Sequence, residues 1–492
     1  MRHYLTSAVR LLILSAALIA QSAYALPSFP GATGFGGETI GGRGGQVIKV
    51  TNLNDSGPGS FREAVNTRGP RIIVFEVSGH IFLNSRLTID EPFVTIAGQT
   101  SPGGILITGD DFRINTNDVI MRYLRVRAGP HGCNPGSSGC ARIHAMEILG
   151  EGWDDNEAYN IIIDHSSFSW GIDETLAISG GVTNVTIQDS IIAEGLNDAG
   201  HNESNHSYSL LVNDKPDRNI YTITLYRNYF ANSNGRNPHI RGSFGAGNKA
   251  DVVNNIAYGW NSWDGPQGDL DVEMNWVHNH AEPASYSNPN SYGLRTDSSR
   301  SPSPTLFFEG NISPRRTSQA DPEWAAEDDD SGNSHNLLST AWQRLTRWPY
   351  PITTIGTMGP ALVNDILADV GASLPVRDSV DTRIVNDFYS RTGDVLDTVS
   401  YPDDFPTFQN LTPPADIDND GMSDAWEVTN GFIVGVNESA GDADGDGYTN
   451  IEEYLHELAG VTGEQVNTGS NAVPNTTIID ESDFEVTNRR NI

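Results

Sequence analysis

Two arginines in the middle of the chain are spaced so that they could hold carboxylates. Arg236 and Arg241 lie on either side of Pro238, directly after the turn-forming residues 232–235. Proline fixes the local backbone, so it can keep both guanidinium groups on one exposed surface. A guanidinium matches a carboxylate through two parallel hydrogen bonds. The pattern predicts a site for an acidic substrate, although an ordinary solvated turn would use the same residue types.

A second group of chemically active residues lies near the C-terminus, in the segments 416–427 and 442–453. Each segment matches the EF-hand calcium loop, which takes oxygen ligands at fixed spacings and needs glycine at its sharp turn. Gly421 and Gly447 occupy that turn. The predicted side-chain ligands are Asp416, Asp418, Asp420, Asp424 and Glu427 in the first loop and Asp442, Asp444, Asp446, Asn450 and Glu453 in the second.

A short helical pattern follows each loop, and no clear helix precedes either one. The pair therefore resembles dockerin or thrombospondin type 3 calcium repeats more than sensor EF-hands. We expect a small calcium-ordered module at 413–460, for which a dockerin-like docking role stays open. The last residues, 461–492, are predicted to form a disordered tail.

The composition limits the classes of partner. The chain has 492 residues and a net charge of −33, and its only lysines are Lys49, Lys215 and Lys249. So acidic a protein is a poor partner for nucleic acid or for an anionic membrane. A polyanionic substrate would have to meet a local basic groove, which Arg236 and Arg241 could provide. We expect a monomer.

The N-terminus and the cysteines both indicate export. Residues 1–25 combine a basic flank, an apolar run and the small-residue site Ala23-Tyr24-Ala25, which together predict a secretory signal cleaved before Leu26. We therefore expect a secreted protein, extracellular or periplasmic. In such an oxidising compartment, the closely spaced Cys133 and Cys140 are predicted to form a disulfide.

Short apolar runs separated by turn residues dominate the chain from Arg71 to Val277. Their starts are roughly two to three dozen residues apart, which is the coil length of a stacked β-solenoid. A β-sandwich would show shorter spacings. Asparagine recurs at related places and could form a ladder of stacked amides, at Asn160, Asn184, Asn228, Asn254 and Asn275. We predict an all-β protein, a right-handed parallel β-helix over 26–400.

Other segments are predicted to surround this coil. Ser60 should cap a short helix that ends near Val65. Apolar residues near helical spacing in 361–389 predict a helical tail packed along the coil. The polar segment 283–304 and the acidic run 323–330 are predicted to be loops.

Several stretches together resemble the pectate lyase family, polysaccharide lyase family 1. They are residues 41–65, 94–104, 160–178, 184–192, 226–242 and 366–385. The resemblance covers roughly Phe29 to Val385. It implies a parallel β-helix enzyme that cleaves polygalacturonate by β-elimination.

The resemblance also implies roles for the arginines. β-Elimination needs a base for the proton on C5 of the uronate and a group that neutralises its carboxylate. Arg236 matches the family's base, and Arg241 matches a carboxylate-binding or base-orienting arginine. The family's accessory lysine is absent near Asn197, where His201 or His206 could bind the substrate instead.

The family also holds calcium in its cleft, and here the sequence departs from the pattern. Asp173 matches one calcium ligand and Glu174 could assist, but another usual carboxylate position is Ala177. A third segment has His144 in place of the usual aspartate, and strand alternation predicts that the nearby Glu147 points to the other face. Either the ligands shift to Asp173, Glu174 and His144, or basic residues replace the metal.

Three functions follow as alternatives. The first is a lyase for pectate or polygalacturonate. The second is a lyase for methylated pectin or another polyuronate, as in the calcium-independent pectin lyases of the same superfamily. The third is a non-catalytic β-helix that binds acidic glycans.

Overall fold

The computed structural model describes residues 26–130, 140–150, 158–213, 221–242, 247–261, 265–297, 304–329 and 338–460. Within these ranges the strands form three parallel sheets of ten, eight and nine strands. Every coil except the first and the last contributes one strand to each sheet in turn, and the predicted right-handed parallel β-helix is confirmed. Sheet 1 contains β1 (Gln46–Val50), β2 (Arg71–Phe75), β5 (Val94–Ala97), β8 (Val119–Arg122), β11 (Ala158–Asp164), β14 (Val182–Gln188), β17 (Thr222–Tyr226), β20 (Asn248–Val253), β23 (Val272–Val277) and β26 (Thr305–Glu309).

The other two sheets are built mainly from shorter strands. Sheet 2 contains β3 (Gly79–Phe82), β6 (Ile105–Thr108), β9 (Arg125–Arg127), β12 (Ser167–Ser169), β15 (Ile191–Ala193), β18 (Tyr229–Ala231), β21 (Ile256–Tyr258) and β24 (His280–Glu282). Sheet 3 contains β4 (Leu87–Ile89), β7 (Phe112–Ile114), β10 (Met146–Gly150), β13 (Glu174–Gly180), β16 (Tyr208–Asn213), β19 (His239–Arg241), β22 (Gln267–Asp269), β25 (Leu294–Asp297) and β27 (Glu327–Asp329).

The α-helices of the described ranges are short and flank the coil: α1 (Phe61–Val65), α2 (Pro360–Asp369), α3 (Ser379–Ser390), α4 (Asp424–Asn430) and α5 (Asn450–Leu458). The Ser60 side chain accepts a hydrogen bond from the Glu63 amide, so the predicted cap of α1 is present. Among these helices, none is long and apolar enough to cross a membrane.

The interior of the coil is apolar because alternate strand residues point inward. Ile161, Val185, Ile223 and Ala250 are stacked neighbours on sheet 1 and belong to one buried cluster. Side chains between them point outward, which leaves the outer faces of the sheets for other elements and for a substrate.

An asparagine ladder is present, but its members differ from those predicted. Asn228 donates to the Oδ1 of Asn255 at 3.0 Å, and Asn255 donates to the Oδ1 of Asn279 at 3.0 Å. Asn279 continues the ladder to Asn311 at 3.2 Å. Asn254, the predicted ladder residue, lies at a corner of the coil and has a left-handed φ of 56°. The ladder is formed instead by the next residue, Asn255.

The remaining predicted ladder residues have other partners. Asn184 donates to the Oδ1 of Asn160 at 3.0 Å, which makes a separate pair. Asn275 instead donates to Asp251 at 2.9 Å. The spacing of asparagines in the sequence therefore predicts a stacked ladder. It does not predict which of two adjacent asparagines belongs to that ladder.

Helices α2 and α3 pack against the outer face of sheet 2. Their Ile366, Leu367 and Ile384 join a buried cluster with Ile191 and Tyr229 of that sheet. Buried ion pairs fix the position of α3, since Arg127 lies 2.7 Å from Asp378 and 2.6 Å from Asp381. The predicted helical tail along the coil is thus present.

Two segments predicted as loops contain strands. β25 lies within 283–304 and β27 lies within 323–330, and each adds one strand to sheet 3. Short polar strands are invisible to hydrophobic periodicity, because one strand of three or four residues buries too few side chains to set a pattern.

Candidate active site and calcium loops

A groove of about 280 Å³ lies on the outer face of sheet 3 and contains both predicted arginines. The Arg236 side chain is 25% exposed and that of Arg241 is 40% exposed. Both groups can therefore reach a ligand in solution. The lining residues are Tyr208, Arg236, His239, Arg241, Gln267, Asp269, Arg295, Thr296 and Asp297.

Successive coils place three chemical groups at one end of this groove. Glu174 at the start of β13 is the lateral neighbour of Tyr208 at the start of β16. Tyr208 in turn bridges to Gly235, the residue before Arg236. Arg236 has a left-handed φ of 58°, a conformation that few non-glycine residues adopt. The stacking of the coils, rather than nearness in sequence, brings Glu174, Tyr208 and Arg236 together.

Arg236 is held by an acidic and an aromatic partner. Its Nη1 donates to the Oε1 of Glu174 in a close ion pair, and Glu174 is buried. Its guanidinium carbon lies 4.0 Å from the centre of the Tyr208 ring, a cation–π contact. The two contacts fix the orientation of the guanidinium.

Arg241 belongs to a second outward-facing row of sheet 3. Because Ile240 points into the core, Arg241 and His239 face outward on either side of it. Arg241 is the lateral neighbour of Asp269, which is the neighbour of Asp297. The Arg241 Nε lies 3.8 Å from Asp269 Oδ1, and His239 Nε2 lies 3.3 Å from Asp269 Oδ2.

The predicted residues Asp173, His201 and His206 meet beside the groove. His206 Nε2 lies 2.9 Å from Asp173 Oδ1, and His201 Nε2 lies 3.9 Å from the same oxygen. The two imidazole rings stack with centres 3.6 Å apart. Burial opposes ionisation of Asp173, but the hydrogen bond from His206 and the nearby imidazoles outweigh it and lower the pKa of this carboxyl.

The tautomer of His201 follows from its other nitrogen. His201 Nδ1 accepts the backbone N–H of Glu203 at 3.0 Å, so the proton of the neutral ring belongs on Nε2, facing Asp173. Burial and then the neighbouring His206 lower the pKa of His201. Asp173 is therefore surrounded by donors.

These contacts do not suit calcium in the cleft, because calcium needs six or more oxygen ligands. Of the two predicted ligands, Asp173 faces imidazoles and Glu174 is paired with Arg236. Ala177 offers no ligand. Glu147 lies opposite Ala177 on the outer face of the sheet, so the expectation that it points away is wrong, yet it is ion-paired with Arg113 at 2.5 Å.

His144 does not complete an oxygen-rich set either. It is buried, and its Nδ1 contacts the backbone carbonyl of Glu174 at 3.2 Å. In the described part of the cleft, the predicted acidic ligands are thus held by basic side chains.

Of the nine groove-lining residues only Arg236 and Arg241 were predicted as site residues, and three of the seven others can act on a charged ligand. Tyr208, His239 and Arg295 line the groove together with the predicted arginines. His239 lies inside the Arg236–Arg241 motif itself, so that motif could have identified it. Tyr208 and Arg295 come from other coils, and only the register between coils reveals them.

The first C-terminal loop has the shape of a calcium loop. The Asp416 carboxylate accepts the backbone N–H groups of Asp420 at 3.2 Å and Gly421 at 2.9 Å, which close the sharp turn. Glu427, the last predicted ligand, is fully buried, and neither of its carboxylate oxygens has a hydrogen-bond partner among the described residues. Burial and the surrounding aspartates raise the pKa of Glu427 to about 7.

A bound cation would provide the missing partner, so the residues of the first loop fit calcium. The second loop repeats the turn, since Asp442 accepts the N–H groups of Gly445 at 2.8 Å and Gly447 at 3.1 Å. Carboxylate oxygens of Asp442, Asp444 and Asp446 lie within 4.8 Å of one another. These three aspartates are exposed, unlike the ligands Asp420 and Glu427 of the first loop.

Three further predictions concern residues outside the described ranges. Residues 1–25 and 461–492 are among them, so the signal and the disordered tail stay predictions. Cys133 is outside the ranges as well, so its pairing with Cys140 also stays a prediction.

Comparisons with known proteins give one match to the first C-terminal loop and others to nearly the whole chain. A family profile described as Bacterial TSP3 repeat matches residues 416–431, the first loop and its helix. The match supports the thrombospondin type 3 resemblance and does not support the dockerin alternative.

The relatives cover nearly the whole chain. A probable pectate lyase C of Neosartorya fischeri is 33% identical over 458 residues, which are 91% of this chain and 97% of the relative. A protein of the same description from Aspergillus oryzae is 34% identical over 88% of this chain and 94% of its own length. Among solved structures, a pectate lyase from Bacillus sp. N165 in complex with trigalacturonate matches with a TM-score of 0.45 and 16% identity, covering 69% of this chain and 98% of that chain. On the identity and coverage of the relatives, this chain belongs to the pectate lyase family and is a polysaccharide lyase.

Proposed function

We propose that this protein is a secreted lyase that cleaves pectate, or a closely related polyuronate, by β-elimination. The observation that carries the proposal is the groove on sheet 3, in which Arg236 and Arg241 are both accessible on a chain of this family. In the reaction the C5–H bond breaks and its electron pair forms the C4–C5 double bond. The C4–O bond to the next sugar breaks at the same time. The leaving oxygen keeps the bonding electron pair and takes up a proton to become a hydroxyl, which balances the proton lost from C5, so no water is consumed.

Arg236 takes the C5 proton in this proposal. A guanidinium is normally protonated, so it must give up one proton to accept another. Glu174 is the group that can receive that proton, because its carboxylate accepts a hydrogen bond from Arg236 Nη1. Tyr208 holds the guanidinium plane from the other side.

Arg241 neutralises the substrate carboxylate as negative charge develops next to it. Arg295 lies on the same groove, two coils further along sheet 3, and can meet a carboxylate elsewhere on the polymer. Because both groups recognise free carboxylates, we propose that unesterified pectate is preferred over methylated pectin. His201 and His206 bind substrate beside the Tyr208 end of the groove, where the His206 ring contacts the Tyr208 ring with centres 4.5 Å apart.

Calcium is assigned to the C-terminal loops rather than to the cleft. The buried Glu427, with no hydrogen-bond partner in the described structure, supports a cation in the first loop. No calcium-dependent step is proposed for the reaction, since the cleft carboxylates have basic partners.

The test is a rate measurement on polygalacturonate, following the ultraviolet absorbance of the unsaturated product. We expect product with the natural chain and at least a ~100-fold lower kcat for Arg236→Lys, because loss of a general base has effects of this size. Arg68→Lys is the matched control, since Arg68 is 88% exposed, lies just before β2 at the start of the β-helix and does not line the groove. Normal turnover by Arg236→Lys would refute the base assignment, and no product from the natural chain would favour a non-catalytic glycan-binding β-helix.

A further inference from the structure

The C-terminal module (residues 413–460) is packed onto the first coils of the β-helix. Met422, Ile451 and Leu455 of the module form one buried cluster with Ile72 and Val74 of β2. Met422 is fully buried although it belongs to the first calcium loop. The module therefore covers the outer face of sheet 1 at its first strands, on a different sheet from the active-site groove.

The first loop itself takes part in this contact. Gly421, at the sharp turn of the loop, has a φ of 93°, and a Cβ on it would lie 2.6 Å from Val47 Cγ1 of β1. That distance is shorter than real Cβ contacts, so a side chain at this position would push the loop off the strand. The turn that shapes the loop is also the point where the loop touches the coil.

Lys49 connects the coil to a ligand of the loop. Its Nζ lies 2.8 Å from Asp416 Oδ2, the first ligand position, and 2.7 Å from Glu76 Oε1 at the end of β2. It also donates to Asn419 of the same loop at 3.1 Å. Groups that hydrogen-bond to a ligand orient it for the metal. Lys49 can therefore hold Oδ2 of Asp416, while Oδ1, which accepts only the Asp420 amide among the described contacts, keeps a lone pair for a cation.

A second contact lies on the other side of the module. Arg43 Nε lies 2.9 Å from Glu452 Oε1, and the Arg43 guanidinium carbon lies 5.0 Å from the centre of the Tyr448 ring. Glu452 also caps the start of α5, the helix that follows the second loop. The ends of the module are thus tied to the coil through residues next to its calcium loops.

The loop meanwhile has the acidic residues Asp416, Asp418, Asp420 and Asp424 near the buried Glu427, whose two oxygens have no hydrogen-bond partner in the described ranges. Such a loop repels itself until a cation neutralises it. A cation that binds the ordered, docked loop more tightly than the detached one stabilises docking by linkage.

We propose that the C-terminal module is an intramolecular staple, in which Ca²⁺ in loop 416–427 holds the module on β1 and β2 and Lys49 couples loop occupancy to the coil. The inference rests on the proposed calcium site of the first loop and is independent of the lyase reaction. It gives the module a partner within its own chain.

The test combines calorimetry of Ca²⁺ binding with hydrogen exchange of the full-length chain. In the natural chain we expect Ca²⁺ to slow amide exchange in 46–50 and 71–75 by at least ~10-fold relative to a chelator, as local opening is suppressed. Glu427→Gln should lose both the first-loop binding event and this protection. Lys49→Met should keep the binding event but lose most of the protection, whereas Lys249→Met, a lysine on β20 of the same sheet, should behave as the natural chain.

The outcomes distinguish the proposed staple from the calcium site on which it depends. Ca²⁺ binding without any change in exchange at β1 and β2 would overturn the staple and leave the calcium site. Absence of Ca²⁺ binding at the first loop would overturn both. Equal protection in Lys49→Met and Lys249→Met would remove Lys49 from the coupling.

Discussion

The active-site groove and the first C-terminal loop both gather carboxylates, but they surround them differently. In and beside the groove three carboxylates face a basic side chain: Asp173 faces His206, Glu174 faces Arg236 and Asp269 faces His239. In the loop, Glu427 is buried among aspartates with no hydrogen-bond partner in the described structure. The number of acidic residues alone would predict a metal site in both regions. Their partners support the proposed substrate site in one and the proposed cation site in the other.

Glu174→Gln should give the largest difference between the two regions. The amide cannot receive a proton from Arg236, so we expect kcat on polygalacturonate to fall ~100-fold or more. Ca²⁺ binding by the C-terminal loops, measured by calorimetry, should not change. Asp418→Asn is the reciprocal variant and should weaken Ca²⁺ binding while kcat is kept. If Glu174→Gln also abolished a Ca²⁺ binding event, the cleft would hold calcium after all.

Arg241→Gln should have a smaller effect that depends on the substrate. Losing one charged hydrogen-bond partner of a carboxylate removes roughly 1.5–3 kcal/mol, so kcat/KM on polygalacturonate should fall about 10-fold or more. On highly methylated pectin the loss should be much smaller, because the ester carries no charge. An equal loss of kcat/KM on both substrates would show that Arg241 does not bind the substrate carboxylate.

Chelation should have the smallest effect on turnover and a clear effect on stability. Removing Ca²⁺ takes away the cation partner of Glu427, and we expect the unfolding midpoint measured by calorimetry to fall by roughly 2–5 °C. At a temperature where the fold is intact, kcat should stay within about threefold, as expected for a cleft without an oxygen-rich site. Loss of turnover on chelation that Ca²⁺ restores without any change in stability would reverse the comparison.

Much of the fold could be predicted because sheet 1 has long, apolar strands. Runs such as Ile161–Asp164 and Ile223–Phe230 overlap its strands β11 and β17. The strands of sheets 2 and 3 are often only three residues long, so they bury too few side chains for a period to be detected. For this reason the sequence around β25 and β27 predicts loops.

The site was predictable only as far as it lies in one stretch of sequence. Arg236, His239 and Arg241 share a motif, and the calcium loops are continuous, so both could be found. Glu174 and Tyr208 meet Arg236 only through the register of three coils. That register depends on the lengths of the connections between strands, which no local pattern encodes.

The central claim is that the groove eliminates across C4–C5 of a uronate rather than adding water to a glycosidic bond. The most direct measurement is the reaction on polygalacturonate in water enriched in the heavy oxygen isotope, with product mass and ultraviolet absorbance recorded together. The account predicts an absorbing, unsaturated product whose newly formed ends contain no heavy oxygen incorporated during bond cleavage. A saturated product that has gained one heavy oxygen per cleavage would contradict it.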